Sequence, residues 1–380
     1  MTVSRRSLLF FAPVAYLAGA ETDWSRPRPL GRTGLAAGRL GMGAEAAKDP
    51  ELIERAAGMG ITYFHALSNH EIVGRGIRPV RAKIVLGAGS DKPTREEMLA
   101  DLDQQLRAFG TSHIDLWYLT SKYRPERITD DLIEGVRAAK AAGKIRACAI
   151  AGHGFGSIKA RLKELSDIVG AGMVLCNFAT WEMPADPSAP PRTSLPGGSR
   201  EDIIEMHRDG LGIVAMKPLM GGMKYVPDPA KSWAAAVTDR SAALAAALQW
   251  ALHNPSIDVV PVQISDREQL ERNVRAAQSE FGDRERKLLA SALARHGSEY
   301  CRMCFSCQDA CRNGVAIPDV LRALMYAEGY DDLRRGRESF TALPPAHRQI
   351  RCDDCAACTV ECRTGADVRG RLMRARTLLS

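Results

Sequence analysis

The chain has 380 residues, which is long for one average domain and suits a barrel or doubly wound domain of about 250 to 300 residues with a small additional domain. With 45% hydrophobic, 26% charged and 6% aromatic residues, it has the composition of an ordinary globular protein, which excludes collagen-like, low-complexity and polytopic membrane classes. The net charge of +7 is spread over interleaved basic and acidic residues, so nucleic acid is not expected as a partner.

Residues 1–20 have the features of an export signal. Arg5 and Arg6 precede the apolar run 10–17, and Ala18-Gly19-Ala20 forms a small-residue cleavage pattern. This segment resembles a twin-arginine signal, which implies the twin-arginine export machinery as a partner and an exported, periplasmic or extracytoplasmic location. The apolar run is shorter than the roughly 20 residues of a membrane-spanning helix, so an integral membrane protein is not expected. The alternatives are an uncleaved anchor and an amphipathic helix of the domain.

Short apolar runs alternate with helical patterns between residues 39 and 264, as is typical of strand and helix units around a parallel sheet. The runs predicted as strands are residues 39–44, 61–66, 83–87, 114–119, 145–150, 172–178, 212–216 and 258–264. The predicted helices between them include residues 94–109, 130–142, 199–209 and 240–253. Eight such units predict an α/β fold, a closed (β/α)8 TIM barrel, with residues 183–198 as a long loop on its active-site side. The alternative, an open doubly wound sheet, is disfavoured because no G-x-G-x-x-G follows an early strand.

Several segments along the barrel resemble the aldo/keto reductase family. They include Leu30-Gly31-Arg32-Thr33-Gly34-Leu35, Gly60-Ile61-Thr62-Tyr63-Phe64, Gly143-Lys144-Ile145-Arg146 and Ala215-Met216-Lys217-Pro218-Leu219. The resemblance implies hydride transfer from a nicotinamide cofactor to a carbonyl. It also implies a Tyr acid whose pKa is lowered by a Lys, an Asp paired with that Lys, and a nearby His.

All four catalytic identities of that family differ here. His65 falls at the Asp position and His70 at the Tyr position, although an alignment anchored on Gly74 deletes the Tyr position instead. Gly89 stands at the Lys position and Thr120 at the His position. The usual hydride chemistry is therefore not expected, and His65, His70 and Thr120 become the candidate catalytic residues of a rearranged acid-base site. The alternatives for the histidines are ordinary hydrogen-bonded loop residues or a metal site.

The nicotinamide site of the family is also incomplete. Its Ser-Asn pair after the fifth strand is Ala151-Gly152 here, and the two cations that hold the cofactor's 2′-phosphate are Gln263 and Gln269. Because a phosphate without cationic partners loses much of its binding free energy, the sequence argues against NAD(P)H. The remaining candidates for cofactor binding are Lys217, Gly221, Gly222, Arg267 and Asn273.

Eight of the ten cysteines lie in the last 80 residues, in two repeats of C-x2-C-x2-C-x3-C. This spacing resembles that of bacterial two-cluster ferredoxins. The resemblance implies one [4Fe-4S] cluster on Cys301, Cys304, Cys307 and Cys362, and a second on Cys352, Cys355, Cys358 and Cys311. Structural zinc and four disulfides are the alternatives, and both suit the triplet spacing poorly.

Other features of the tail agree with a small helical ferredoxin-like module. Ile317-Pro318-Asp319 is predicted to open a helix over residues 320–327, as in the modules fused to aldo/keto reductase barrels. Arg312 and Arg363 stand where ferredoxins usually have Pro, and their charge is predicted to raise the cluster potentials. The two remaining cysteines, Cys148 and Cys176, alternate with apolar residues and are predicted to be buried core residues.

The predicted organisation is a signal over residues 1–20, a barrel over 21–297 and a two-cluster domain over 298–380. The predicted function is that of an exported iron-sulfur redox protein. Electrons pass between the clusters and either a small molecule in the barrel mouth or a redox protein partner. The chain is an oxidoreductase if it is active. The alternatives are an NAD(P)H-dependent carbonyl reductase with a rearranged site, and a catalytically silent barrel that carries an electron-transfer tail.

Overall fold

The computed structural model describes residues 23–122, 125–152, 155–181, 200–219, 240–296, 301–303, 307, 310–329, 332–362 and 364–380. The strands in these ranges are β1 (Arg28–Pro29), β2 (Ala36–Ala37), β3 (Leu40–Gly43), β4 (Tyr63–His65), β5 (Val85–Ser90), β6 (Ile114–Lys122), β7 (Ile145–Gly152), β8 (Val169–Leu175), β9 (Gly212–Met216) and β10 (Val260–Gln263). The α-helices are α1 (Pro50–Gly58), α2 (His70–Ile77), α3 (Arg95–Phe109), α4 (Asp130–Ala141), α5 (Phe155–Glu164), α6 (Phe178–Trp181), α7 (Arg200–Arg208), α8 (Arg240–His253), α9 (Arg267–Ala277), α10 (Asp283–His296), α11 (Ile317–Gly329), α12 (Leu333–Thr341), α13 (Pro345–Arg348) and α14 (Val368–Leu379).

Strands β3 to β10 form one parallel sheet that closes into a barrel. Neighbouring strands follow the order β10-β3-β4-β5-β6-β7-β8-β9. A parallel bridge between Val214 and Val259 joins the two ends of the sheet, and Ala215 N donates to Val259 O over 2.9 Å. Helices bury the outer face of the strands and side chains in the barrel interior bury the inner face, which explains why the strands appear in the sequence as nearly continuous apolar runs. The predicted (β/α)8 barrel is confirmed, and every predicted strand run overlaps one barrel strand.

Small and aromatic side chains fill the interior of the barrel. A short antiparallel hairpin, β1 and β2, covers its N-terminal end, where Leu30 is fully buried. An added Cβ on Gly31 would lie 2.0 Å from Gly212 N at the start of β9, so a side chain at Gly31 would prevent this contact. The opposite end, formed by the C-terminal ends of the strands, is left as the barrel mouth. The other interior residues include Tyr63, Leu116, Tyr118, Ala147, Ala149, Ala151, Ala171 and Met173.

Strand β8 begins and ends about three residues earlier than predicted. The side chain of Asn177 causes this difference, because its Oδ1 accepts hydrogen bonds from Ala179 N at 3.1 Å and Thr180 N at 3.0 Å. This turn ends the extended backbone and starts α6, so Phe178 packs from a helix rather than from a strand. The prediction extended the strand because Phe178 continues its apolar run.

Helix α3 positions several side chains beside β5. Thr94 caps its N-terminus by accepting a hydrogen bond from Glu97 N at 3.3 Å, and Gly110 ends it with a φ of +64°. The buried face of the helix carries Gln105 and Phe109 toward the barrel. Its bounds agree with the predicted helix at 94–109 to within one residue.

Helices α11 to α14 of the tail enclose a separate apolar core. Helix α11 (Ile317–Gly329) contains the helix predicted over residues 320–327 and extends it by three residues at the start and two at the end. Met303 packs against Leu175 at the end of β8, which brings the tail against the barrel mouth. The tail core contains Val315, Ile317, Val320, Leu321, Leu324, Phe340, Ile350, Val368, Leu372 and Leu379.

Some predictions concern residues outside the described ranges. These are the signal at 1–20, the loop at 183–198, Gly221, Gly222, Cys304 and Arg363. Within the described ranges, none of the helices combines the length and the apolar character needed to cross a bilayer.

Candidate functional site

His65 ends β4 and lies almost completely buried in the barrel mouth, with 6% of its surface exposed. Its Nδ1 is 3.9 Å from Oε2 of Glu45, and its ring meets the ring of Tyr118 edge-on at 5.3 Å between centroids. Its Nε2 has no hydrogen-bond partner among the residues that the structure describes. Burial lowers the pKa of His65 and the nearby Glu45 opposes that change, so the neutral imidazole is favoured.

Two tyrosine hydroxyls are hydrogen-bonded to each other below His65. The Oη atoms of Tyr63 and Tyr118 are 2.6 Å apart, and both rings are fully buried. Burial raises the pKa of both phenols, so neither is an efficient proton donor near neutral pH. The absence of a side chain at Gly87 makes room for this pair, because an added Cβ there would lie 2.7 Å from Tyr63 Oη.

Gly89, at the position of the family's lysine, has no space for a side chain. An added Cβ would lie 2.4 Å from the carbonyl oxygen of Tyr118 on the neighbouring strand. The Gly89 carbonyl accepts a hydrogen bond from Gln105 Nε2 at 3.0 Å, which holds α3 against β5. The glycine therefore fits a close contact between two backbones, which a side chain at this position would prevent.

His70 begins α2 and lies on the same side of the mouth as His65. It follows Asn69, which has a φ of +61°, and its ring is 4.7 Å from the ring of Phe109 between centroids. Burial lowers the pKa of His70, while the charges of Asp101 and Glu45 and a hydrogen bond to a backbone carbonyl oppose this change. The structure thus brings His65 and His70 into the field of one carboxylate, that of Glu45.

Thr120 lies half-buried on β6, paired in register with Ala151 of β7. It is two residues from Tyr118, so strand alternation turns it to the barrel interior, as predicted for a mouth residue. Glu45 was not among the predicted site residues, because it follows β3 in a short turn without a recognisable motif. The Tyr63 and Tyr118 pair was also missed, since both residues have the sequence pattern of ordinary core positions.

The predicted cofactor residues divide between two parts of the mouth. Arg267 opens α9 and donates to Glu271 Oε1 at 2.8 Å, and Asn273 lies half-buried on the same helix. Lys217 follows β9 with a φ of +54° and contacts the tail instead. Gln263, at a phosphate-binding position of the family, donates to Glu45 at 3.2 Å.

A small, partly open pocket, here called the junction cavity, lies where the tail meets the C-terminal ends of β8 and β9. Asn177 Nδ2 donates to the backbone oxygen of Lys217 at 3.2 Å, which fixes the two strand ends relative to each other. On the tail side, Arg302 donates to the backbone oxygen of Ala179 at 3.4 Å. The lining residues are Leu175, Asn177, Ala179, Thr180 and Lys217 from the barrel and Cys301, Arg302, Met303 and Met325 from the tail.

A second partly open pocket, here called the cysteine cavity, lies within the tail. Burial raises the pKa of the Cys352 thiol, and the thiols of Cys358, Cys311 and Cys355 raise it further. Arg369 acts in the opposite direction. Asn313 Nδ2 lies 3.5 Å from Cys355 Sγ. The residues around this cavity include Cys311, Cys352, Cys355, Cys358, Arg312, Arg351 and Arg369.

Three of the other predicted ligands lie within the described residues. Cys301, Cys307 and Cys362 are partly buried and pack against the tail core. Burial favours a higher pKa for Cys362, but hydrogen bonds from Thr364 and from backbone amides, together with the charge of Arg302, lower it overall. Thr364 Oγ1 lies 3.3 Å from Cys362 Sγ.

The nine cysteines in the described ranges are free thiols. Cys148 and Cys176 are fully buried, as predicted for core residues, and burial raises the pKa of Cys148 to about 12. Across the same ranges, no set of three or more His, Cys, Asp or Glu side chains is gathered closely enough to hold a single metal ion. Four of the thiols, those of Cys311, Cys352, Cys355 and Cys358, line the cysteine cavity.

The closed parallel barrel with its open C-terminal mouth defines a TIM-barrel protein of the α/β class. Residues 51–294 match the Aldo/keto reductase family, and this is more than half of the chain. The chain therefore belongs to the aldo/keto reductase family, and its barrel is of an oxidoreductase type.

Solved structures agree on the fold. "Aldo-keto reductase AKR11C1 from Bacillus halodurans (holo form)" is 19% identical, with a TM-score of 0.53 over 70% of this chain and 96% of that one. "Putative aldo-keto reductase from Pseudomona aeruginosa" is 18% identical, with a TM-score of 0.50 over 68% and 96%. At these identities the likeness concerns the fold alone. A search of curated proteins found no match.

Proposed function

We propose that this protein is an exported iron-sulfur oxidoreductase that exchanges electrons between two [4Fe-4S] clusters in the tail and a small molecule at the barrel mouth. The observation that carries the proposal is the junction cavity. There Cys301, a predicted cluster ligand, lines the same space as Asn177, Thr180 and Lys217 from the barrel. A cluster held by Cys301 would therefore lie beside a molecule bound in that cavity.

The residues around the cysteine cavity fit an iron-sulfur cluster. Cys311, from the first repeat, lines it together with the first three cysteines of the second repeat, which is the crossed set that the ferredoxin resemblance implies. Thiolates are the usual ligands of such clusters, which supply one-electron transfer when bound. Arg312 and Arg369 add positive charge beside the thiols, and the Asn313 amide faces a ligand sulfur. Charge and hydrogen bonds of this kind adjust cluster potentials.

The other predicted set consists of Cys301, Cys304, Cys307 and Cys362, of which Cys304 lies outside the described residues. Arg302 links this set to the barrel, because it acts on the Cys362 thiol and also donates to the Ala179 backbone. We therefore assign this cluster to the side of the tail that faces the barrel mouth.

Three features support electron transfer over the family's hydride chemistry. His70 replaces the acid, Gly89 lies against a neighbouring backbone, and the two interior tyrosines have raised pKa values. In addition, the guanidinium of Arg267, a candidate for nicotinamide cofactor binding, is paired with the carboxylate of Glu271. The substrate that suits this mouth is a small carbonyl, sugar-like or quinoid molecule. A redox protein partner with a silent barrel, and an NAD(P)H-dependent reductase, are outcomes of the test below.

Anaerobic purification of the full chain tests the proposal. We expect about eight iron atoms per chain, a broad visible absorption that dithionite bleaches, and an EPR signal in the reduced state. Titration with NADH and NADPH, followed by fluorescence, should show no tight binding. A colourless protein that contains zinc or disulfides would contradict the assignment, and NADPH binding with cluster reduction would favour the nicotinamide-dependent reductase.

Export is a separate part of the proposal. It rests on Arg5 and Arg6, which precede the apolar run of residues 10–17. Because the twin-arginine route carries folded proteins, clusters can be inserted before export. We expect the double variant Arg5→Lys, Arg6→Lys to remain in the cytoplasm when cells are fractionated, whereas the wild-type chain should reach the periplasm. Equal distribution of the two chains would remove this part of the proposal.

A further inference from the structure

Tyr326 of α11 lies buried between the tail and the barrel, with basic groups around its ring. Its exposed fraction is 6%. Lys217, at the end of β9, places Nζ 5.1 Å from the ring centroid and is hydrogen-bonded to the phenol oxygen. Arg335 of α12 places Cζ 4.5 Å from the same centroid. Groups from the barrel and from two tail helices therefore meet at one phenol.

Within the described residues, three acidic groups of the neighbouring helices have other partners. Asp319 pairs with Arg322 at 3.2 Å, one turn before the tyrosine on α11. Asp332 caps α12 by accepting a hydrogen bond from a backbone amide at 2.9 Å. Glu328 pairs with Arg374 of α14 at 2.7 Å. The charge that acts on the phenol is therefore mainly positive.

This surrounding charge changes the acidity of the phenol. Burial alone would raise the pKa of Tyr326, but the charges of Lys217, Arg322 and Arg335 outweigh burial and lower it to about 8. An unperturbed tyrosine titrates near 10. At neutral pH the hydroxyl keeps its proton but gives it up more readily, as an efficient general acid requires.

Lys217 connects the phenol of Tyr326 to the junction cavity. Lys217 lines that cavity, and so do Met325, the neighbour of Tyr326 on α11, and Cys301. We propose that Lys217 and Tyr326 form a proton-transfer pair for the oxygen of a carbonyl or quinone bound in the junction cavity. This inference rests on the proposed function for the supply of electrons.

The proton moves in two steps once the bound molecule is reduced. Reduction of a quinone places negative charge on its oxygen. One N–H bond of Lys217 breaks and a new O–H bond forms on that oxygen. The O–H bond of Tyr326 then breaks and its proton restores the ammonium, leaving a phenolate that water re-protonates. Solvent supplies the second proton, so one quinone, two electrons from the reduced iron-sulfur sites and two protons give one hydroquinone.

Ultraviolet difference titration of the purified full chain tests the acidity first. Subtracting Tyr326→Phe from wild type should reveal one tyrosine that ionises near pH 8. Lys217→Gln should move this transition upward by at least about one pH unit, because it removes a neighbouring positive charge. Tyr63→Phe is the control and should leave the transition in place, since burial raises the pKa of Tyr63. If wild type and Tyr326→Phe are identical below about pH 9, the proposal is wrong.

Two oxidants then separate proton transfer from electron transfer. The dithionite-reduced full chain is mixed either with 2-methyl-1,4-naphthoquinone, which needs protons, or with ferricyanide, which needs none. The readout is the rate of re-oxidation at visible wavelengths. We expect Tyr326→Phe and Lys217→Gln to lower the ratio of the quinone rate to the ferricyanide rate by about 100-fold, the usual contribution of a general acid.

Lys217→Arg separates charge from proton donation. Arginine keeps the positive charge but holds its protons at any ordinary pH. In this variant Tyr326 should therefore still ionise near pH 8. The ratio of the quinone rate to the ferricyanide rate should nevertheless fall. If the ratio of the quinone rate to the ferricyanide rate is unchanged in Tyr326→Phe or in Lys217→Arg, the proposed proton-transfer pair is wrong. The proposed electron transfer would not be affected by that result. If neither oxidant re-oxidises the wild-type chain, the proposed function itself fails.

Discussion

The two sides of the barrel mouth differ in how their polar groups are used. On the side of β4 to β6, His65, Tyr63 and Tyr118 are buried, and burial shifts their pKa values toward neutral forms. On the side of β8 and β9, Lys217 contributes a cation beside a cavity and a tyrosine from another part of the chain. The family's chemistry would occupy the first side, whereas the second side meets the cysteine-rich tail.

This difference shows how a barrel can keep its fold while its reactive groups move. The first side is tightly packed, because Gly89 lies in close contact with the Tyr118 backbone. The second side is completed by residues of the tail: Cys301 lines the junction cavity, and Tyr326 contacts Lys217, which lines the same cavity.

The largest expected effect is on metal content. Cys358 is exposed beside the cysteine cavity, so Cys358→Ser should fold normally but remove one ligand of the predicted second cluster. Bound iron, measured in the anaerobically purified chain, should fall by about half. Cys148→Ala is the matched control, because this buried thiol lies in the barrel core and its loss should leave the iron content unchanged. Equal iron in wild type and Cys358→Ser would contradict the crossed ligand set.

A second prediction concerns the packed side of the mouth. Gly89→Ala would place a methyl group 2.4 Å from a backbone oxygen. We expect a decrease in the free energy of unfolding of about 1 to 3 kcal/mol, the usual cost of overpacking, measured by urea denaturation. Gly58→Ala on α1 meets no atom within 4 Å and serves as the control, with an expected gain of at most about 1 kcal/mol. An unchanged free energy of unfolding in Gly89→Ala would show that the backbone here can shift to accommodate a methyl group.

A third prediction concerns acid stability. The folded pKa of His65 is lowered by burial, so the unfolded chain takes up this proton first as the pH falls below about 6.5. The free energy of unfolding should then decrease by up to about 1.4 kcal/mol per pH unit for this proton. Denaturation of His65→Gln at several pH values should show a shallower dependence, and an unchanged slope would mean that His65 is not buried in its neutral form. Arg55→Gln, at an exposed pair, is the control.

The sequence was sufficient for the barrel because its periodicity reflects local burial. Each strand run is apolar on both faces, and helix α3 carries its own cap at Thr94. The offset of β8 escaped prediction because the Asn177 turn, and not hydrophobicity, ends that strand. In the tail, the ferredoxin resemblance implied that Cys311 belongs with the second set, and this grouping and the role of these thiols as ligands stay predictions.

The paired Lys217 and Tyr326 could not be predicted in the same way. They are far apart in sequence and meet because the tail docks on the barrel mouth, which no local pattern specifies. Tyr326 occupies an apolar helix face and has the pattern of a core residue. Arg322 and Asp319, one and two turns earlier on the same helix, are also buried and charged.

The smallest expected effect is on potential. Arg312 lines the cysteine cavity at the position where ferredoxins usually have Pro, and its charge favours the reduced, more negative cluster. Arg312→Gln should lower the midpoint potential of the second cluster by roughly 40 mV, equivalent to about 1 kcal/mol for one electron. A spectroscopic redox titration measures this shift, and Arg284→Gln on the barrel helix α10 provides the control. An unchanged potential in Arg312→Gln would assign the tuning to Arg369 and Asn313, which contact Cys352 and Cys355.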